Sequence, residues 1–309
     1  MAVEEKVVGI PRSEHFYQGH VACKGCGAAL AMRFALKALG PKTVLAIPAC
    51  CWSVIPGIFP NRTMKVPVFN IPFEVTGAVI SGISEAFAAQ GKTDINVVGW
   101  AGDGGTVDIG LQALSGAVER RHNFIYFLYD NEAYMNTGIQ RSGSTPQGAW
   151  TTTTPVGKTK MWKMEPKKNI DEILIAHGIP YLATATIAFP EDLIKKVKKA
   201  QTIKGPKFIH ILSPCQPGWK HPPEKTVEIS RLAVYTKVFP LYEYENGKYR
   251  ITVKIPEKKM RPVVDYLKLQ GRFKYLLQDK EMVEYIQKYV DRQYELLLKK
   301  VEFTQNLNL

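Results

Sequence analysis

Cysteine is scarce in this 309-residue chain and narrowly placed. Its five cysteines occupy three places only: Cys23-Lys24-Gly25-Cys26, the adjacent pair Cys50-Cys51, and Cys215. Free cysteine is elsewhere a common small hydrophobe of protein cores, so its absence from the rest of the chain reserves these thiols for a purpose. Long apolar runs are also missing. None reaches the roughly 18 residues that span a bilayer, so no membrane partner is expected. The opening residues, MAVEEKVVGIPRSEHF, lack the basic and apolar regions of a secretory signal. The expectation is a cytoplasmic protein, where thiols stay reduced and clustered cysteines serve metal or redox chemistry more often than disulfides. The chain has no internal repeat and no long basic run. That second absence matters because the formal net charge is +13. Its lysines are interspersed with Glu and Asp, especially after residue 190, which reads as a solvated surface and not a nucleic-acid-binding face. Steering toward an acidic protein partner is a further reading of the charge.

What is present is an alternation of short apolar runs and amphipathic stretches. Residues 26–39 carry apolar side chains at helical spacing and stop at Gly40-Pro41. Residues 43–47 form a β-branched run. Residues 74–90 read as a small-residue helix in which Gly77 and Gly82 allow close packing. Strands at 95–100 and 123–130 flank a helix at 106–120. After a Gly-, Thr- and Pro-rich loop at 131–160, the pattern resumes with helices near 170–177 and 190–202 and strands near 181–187 and 207–213. Such a series predicts an α/β protein with a mostly parallel sheet covered by helices on both faces. Residues 1–215 read as one unit. Residues 216–309 read as an arm that packs on the core or on a partner, with a hairpin at 242–249 and two charged helices within 261–302.

Two constellations carry chemistry. Gly102-Asp103-Gly104-Gly105 lies between a strand and a helix, where glycines let backbone N–H groups approach a phosphate. The aspartate makes sense there if Mg²⁺ sits between carboxylate and phosphate; a tight turn capped by Asp is the bland alternative. Twenty-six residues separate Gly104 from Asn131, which ends the next strand in Tyr129-Asp130-Asn131. Neighbouring parallel strands would then bring an Asp and an Asn to one crevice. The second constellation is the thiol set, whose alternative is a structural zinc site.

These residues together resemble a known family. GDG followed after 26 residues by Asn matches the thiamine diphosphate motif, which usually ends Asn-Asn where this chain has Asp130-Asn131. His20-Val-Ala-Cys23-Lys-Gly-Cys26-Gly, Ala49-Cys50-Cys51-Trp-Ser-Val, Gly99-Trp-Ala-Gly-Asp-Gly-Gly105 and Tyr129-Asp-Asn-Glu-Ala-Tyr-Met-Asn-Thr-Gly138 resemble the β subunit of 2-oxoacid:ferredoxin oxidoreductases, of pyruvate or branched-chain (2-oxoisovalerate) type. The resemblance implies a thiamine diphosphate-binding fold and oxidative decarboxylation of a 2-oxoacid to acyl-CoA and CO₂, with electrons leaving through a 4Fe-4S cluster to ferredoxin. Carried over by position, Gly102, Asp103, Gly104, Asn131, Ala133, Asn136 and Thr137 would bind the cofactor, with Asn136 nearest the chemistry. Asp103, Asn131 and the Ala133 carbonyl would hold Mg²⁺. Cys23, Cys26, Cys51 and Cys215 would hold the cluster, Cys51 being preferred to Cys50 because it begins the Cys-x-Ser element of the family. Coenzyme A would be co-substrate. The resemblance also implies α, γ and δ partner subunits, the α subunit supplying the glutamate that activates the cofactor, so Glu74 reads as a surface or interface residue. His20 reads as structural, Trp100 and Trp150 as packing residues, and His122, His177 and His210 as having no visible partner. A non-redox thiamine enzyme subunit and a zinc-stapled structural subunit are the alternatives.

Overall fold

The computed structural model describes residues 6–7, 9–60, 62–157 and 161–305. Residues 1–5, 8, 61, 158–160 and 306–309 lie outside it, and with them part of the N-terminal segment and of the 131–160 loop. In chain order the strands are β1 (Lys6–Val7), β2 (Ile10–Pro11), β3 (Thr43–Pro48), β4 (Val68–Ile71), β5 (Asn96–Gly102), β6 (Ile125–Asp130), β7 (Tyr181–Thr186), β8 (Lys207–Leu212), β9 (Tyr242–Glu245) and β10 (Lys248–Ile251). The helices are α1 (Gly27–Leu39), α2 (Thr76–Ala89), α3 (Leu111–Glu119), α4 (Ile170–Ala176), α5 (Pro190–Thr202), α6 (Gln216–Trp219), α7 (Thr226–Tyr235), α8 (Val263–Leu267) and α9 (Lys280–Gln305).

Strands β3 to β10 form one sheet in the order β10-β9-β7-β8-β6-β5-β3-β4, parallel from β7 to β4. The central strands are buried along their whole length, as strands covered on both faces must be. Alternate residues of β6 divide between the layers. Ile125, Phe127 and Tyr129 pack toward α1 and α5 with Met32, Leu36, Leu193 and Val197. Tyr126 and Leu128 pack toward α2, α3 and α4 with Ile80, Leu114 and Leu174. The carboxyl ends of β3, β5, β6 and β8 run directly into Cys50-Cys51, Asp103, Asn131 and Cys215. All the chemistry-bearing residues but the Cys23–Cys26 pair thus leave the sheet on the edge where open α/β sheets bind ligands.

Several expectations need correction. The 106–120 helix begins as a π-type turn, Gly104–Asp108, and becomes α-helical only at Leu111. A Cβ on Gly110 would lie 2.0 Å from the Gly105 carbonyl oxygen, so the wide turn depends on glycine. Strand β4 and helix α7 are additions to the elements the sequence predicts. The hairpin β9–β10 pairs antiparallel onto the β7 edge, so the arm after residue 215 extends the sheet. Of the two helices read within 261–302, the first is only the short α8, ending in 3₁₀ turns at Gly271–Phe273 and Leu276–Gln278; the second is the long α9. Among the described residues no helix is long and apolar enough to cross a membrane.

Gly77 and Gly82 separate. A Cβ on Gly77 would lie 2.4 Å from the Ala113 carbonyl oxygen, so α2 touches α3 there, whereas Gly82 has nothing within 4 Å. Gly77→Ala is expected to destabilise the protein by about 1–3 kcal/mol through forced separation of backbones. Gly82→Ala should stabilise it by up to about 1 kcal/mol through helix propensity. Denaturant midpoints of the two variants, moving in opposite directions, check both.

Candidate active site

The site is built on the pairing of β5 with β6, which places Gly102 opposite Tyr129. Asp103 follows the first strand and Asn131 the second. Both are buried. The side-chain oxygen of Asn131 lies 2.9 Å from the Ala133 carbonyl oxygen and 3.0 Å from Asp103 Oδ1. Turned over, the amide donates its NH₂ group to both of these oxygens; as it stands, it offers them a third oxygen. The same spacing is that of adjacent oxygens in an octahedral shell, roughly 2.9 Å for bonds of 2.0–2.1 Å. The Asp103 carboxyl is pushed well up, first by burial and then by the charge of Asp130, against a hydrogen bond from the Ser142 hydroxyl. A cation between the three oxygens would reverse that.

Gly102, Asp103, Gly104, Asn131, Ala133, Asn136 and Thr137 line one cavity of about 270 Å³, with Cys50 and Cys51 on its wall. A Cβ on Gly104 would meet the Tyr134 ring at 2.2 Å. Tyr134 is held in turn by its hydroxyl donating to Asp108 Oδ2 at 2.9 Å and by edge contact with Phe73.

The thiols gather beside this cavity. Cys26 precedes α1; burial raises its thiol pKa, against which the N–H groups of Ala28 and Ala29 lower it. The Gly27 N–H donates to the Pro214 carbonyl at 3.1 Å, and a Cβ on Gly27 would lie 2.8 Å from that oxygen. Glycine after the CxxC therefore lets α1 start against Pro214-Cys215. Burial pushes the Cys51 thiol up, and Cys50, Cys215, Cys26 and Cys23 push it further. Burial, opposed by the Gly218 N–H and reinforced by Cys26 and Cys23, brings Cys215 to about 12. Cys23, Cys26, Cys51 and Cys215 are thus electrostatic neighbours. Cys50 stands beside this group, and after burial its charge is the first to raise Cys51. It too is raised by burial, but its partners are the Tyr129 hydroxyl and the N–H groups of Trp52 and Ser53. Among the described residues no three His, Cys, Asp or Glu side chains converge on a single metal ion.

Sequence reading missed the charges beneath the site. His210 is not without a partner: Nε2 lies 2.9 Å from Asp130 Oδ2, and Nδ1 lies 3.0 Å from Asp171 Oδ1. Lys167 Nζ is 2.5 Å from Asp130 and 2.9 Å from Glu132, and Arg272 pairs with the other Glu132 oxygen at 2.6 Å. Asp171, His210, Asp130, Lys167, Glu132 and Arg272 form a buried row of alternating sign. Burial alone would raise Asp130, but Lys167 and His210 hold it well below the usual carboxylate range. His177 meets the Ser115 hydroxyl at 2.7 Å, and His122 is 3.7 Å from Glu85, so these two also have partners. His20 stacks on Phe16, and its Nδ1 accepts from the Ala22 N–H. Trp100 is packed in the core, whereas Trp150 lies under the Lys220 ammonium. Glu74 is exposed in the turn before α2.

A Gly-Asp-Gly turn facing an Asn at the carboxyl edge of a parallel sheet defines a thiamine diphosphate-dependent α/β protein. Consistent with this, the thiamine pyrophosphate enzyme family, C-terminal TPP-binding domain, matches residues 59–211. The chain is 56% identical over 303 residues to ketoisovalerate oxidoreductase subunit VorB of Pyrococcus furiosus, covering 96% of this chain and 97% of that one. It is 51% identical over 298 residues to pyruvate synthase subunit PorB of Methanocaldococcus jannaschii, covering 94% and 99%. A 2-oxoglutarate:ferredoxin oxidoreductase from Magnetococcus marinus, solved with 2-oxoglutarate, coenzyme A and succinyl-CoA bound, shares the fold with a TM-score of 0.54 at 19% identity, over 88% of this chain and 94% of that chain. The chain belongs to the β subunits of the 2-oxoacid:ferredoxin oxidoreductases.

His210 gives the site a pH signature. Burial lowers its pKa, but Asp171 and Asp130 outweigh burial and push it up to about 9 from 6.5. A raised histidine contributes stability that is complete below pH about 6.5 and lost as pH rises toward about 9. Denaturant midpoints of wild type should fall across that window, and those of His210→Gln should start lower and fall less.

Proposed function

We propose that this chain holds thiamine diphosphate, Mg²⁺ and one 4Fe-4S cluster in a cytoplasmic, CoA-acylating enzyme that oxidatively decarboxylates pyruvate or a branched-chain 2-oxoacid such as 2-oxoisovalerate. The observation that supports the metal assignment is the approach of the Ala133 carbonyl and the Asp103 carboxylate to the Asn131 amide, at 2.9 and 3.0 Å. A hard cation with oxygen ligands fits that donor set, and a diphosphate would complete its shell. When bound, thiamine diphosphate supplies the nucleophilic carbon for decarboxylation of a 2-oxoacid, and the cluster takes up electrons singly.

The chain's own residues supply position and field. Gly104 and Gly105 line the cavity with backbone packed against the Tyr134 and Phe73 rings, and would offer N–H groups to a diphosphate. Asn136 and Thr137, exposed at the mouth of the cavity, face the reacting end of the cofactor and its substrate. Residues 1–215 provide the cofactor and thiol groups, and residues 216–309 the arm. Cys23, Cys26, Cys51 and Cys215 are the cluster ligands. Their charges act on one another, which suits a site that gathers several thiolates. The N–H groups of Ala28 and Ala29 at the start of α1 favour negative charge on sulfur. Cys50 lies between the two sites but binds neither metal.

The partners are the α, γ and δ subunits and ferredoxin, with coenzyme A as the acyl acceptor. Glu74 is exposed and its side chain does not line the cavity, although its neighbour Phe73 does; the activating glutamate is assigned to the α subunit. The chain alone is therefore expected to oxidise no 2-oxoacid. In the assembled complex, Cys51→Ala should abolish the broad absorbance near 400 nm and most of the iron, while Cys50→Ala keeps both. Iron analysis and spectra of the two variants check this; a colourless wild-type complex containing zinc contradicts it. Assaying the complex with pyruvate and with 2-oxoisovalerate identifies the substrate.

A further inference from the structure

The turn that carries two of the three acceptor oxygens is held in a costly shape. Glu132, between Asn131 and Ala133, has φ of +66°, the left-handed region that a residue with a Cβ enters only at a cost. This conformation brings the Ala133 carbonyl back toward Asn131 and Asp103. Local contacts support it. The Glu132 N–H donates to Asp130 Oδ1 at 3.0 Å, and its carbonyl accepts from the Thr145 hydroxyl at 2.7 Å.

The remaining restraints come from far along the chain. Arg272 pairs with the Glu132 carboxylate at 2.6 Å, and Trp219 Nε1 donates to the Asn131 carbonyl at 2.7 Å. The Arg272 guanidinium lies 3.8 Å from the centre of the Trp219 ring, while its Nε and Nη2 donate to Gln270 Oε1 at 2.9 and 2.7 Å. Glu132, Trp219 and Arg272 are all buried. Trp219 also closes the short helix α6, its N–H donating to the Cys215 carbonyl at 2.8 Å. One helical turn therefore separates a thiol of the cluster set from the backbone of the oxygen trio.

We propose that Arg272 and Trp219 are positioning residues, a brace by which the C-terminal arm fixes the Asn131–Ala133 turn in its cation-binding shape and ties it to Cys215. The inference rests on Asp103, Asn131 and Ala133 being the Mg²⁺ donors and Cys215 a cluster ligand. A buried ion pair is a poor source of net stability against an apolar replacement, which suits a role in shape. Arginine is required over lysine because one planar group must lie flat on the indole while its edge reaches Glu132 and Gln270. By linkage, whatever occupancy of the thiol site does to the oxygen site is returned in equal measure.

The test uses the assembled complex, stripped with a chelator that removes Mg²⁺ but leaves iron. Thiamine diphosphate binding is followed by calorimetry against Mg²⁺ concentration, with iron content measured in parallel. Arg272→Lys, Glu132→Gln and Trp219→Phe should each raise the Mg²⁺ needed for half-maximal binding by about 10-fold or more, as outer partners of metal ligands do. Arg272→Lys combined with Glu132→Gln should be little worse than either alone, because both cut one pair. Glu132→Gln removes only a charge and carries the test if an Arg272 variant does not assemble. Mg²⁺ dependence that is present in wild type, lost in Asp103→Asn and untouched in the brace variants overturns the brace alone. Wild-type binding that ignores Mg²⁺ overturns the donor assignment and the brace with it.

Discussion

The parallel register of β5 on β6 is the constraint from which the site follows. Gly102 sits opposite Tyr129, so the next residues of each strand leave the sheet side by side, and a carboxylate and an amide far apart in sequence come within 3.0 Å. Side chains alternate along a strand, so a slip of one residue would exchange the two faces of β6. Its aromatic residues forbid that. Phe127 and Tyr129 pack with Trp100 on one face, and Tyr126 stacks on Phe208 on the other. Core packing thus sets the geometry of the oxygen trio.

Placing carboxylates at that edge creates an electrostatic problem that the row from Asp171 to Arg272 resolves. Asp130 stands where the thiamine motif usually has Asn, and a buried charge there must be compensated. Lys167 and His210 do so at the same oxygen, Oδ2, and each is itself flanked by a second carboxylate. The row ends at Arg272 on the C-terminal arm, so the arm is electrically continuous with the cofactor edge. Breaking one member of such a network costs more than the pair contributes, because a charge is left buried and unpaired.

How far the sequence reading reached depended on how local each signal was. Strands β3, β5, β6, β7 and β8 and helices α1, α2 and α5 were legible because continuous apolar runs and helical spacing declare themselves within a few residues. Asp103, Asn131 and the thiols were legible through spacing and family resemblance. Strand β4 is short and partly exposed, and α7 has no side-chain cap, so neither announces itself. The left-handed Glu132 carries no sequence signal, since such a conformation is expected of Gly or Asn. Lys167, Trp219 and Arg272 meet the site only through tertiary contact, and nothing in their sequence surroundings marks them. For the choice between Cys50 and Cys51, adjacency gives no answer; Cys50 has the Tyr129 hydroxyl as a partner, while Cys51 feels the charges of Cys50, Cys215, Cys26 and Cys23.

The central claim is that one chain carries both an oxygen-ligated metal site and a thiol-ligated iron cluster at the same sheet edge. Anomalous diffraction from crystals of the complex at the iron edge tests it directly. The account predicts iron density bounded by Cys23, Cys26, Cys51 and Cys215, with Cys50 outside and no iron at the Asp103–Asn131–Ala133 trio. Density bonded to Cys50 in place of Cys51, or a signal at the zinc edge instead of the iron edge, would contradict it.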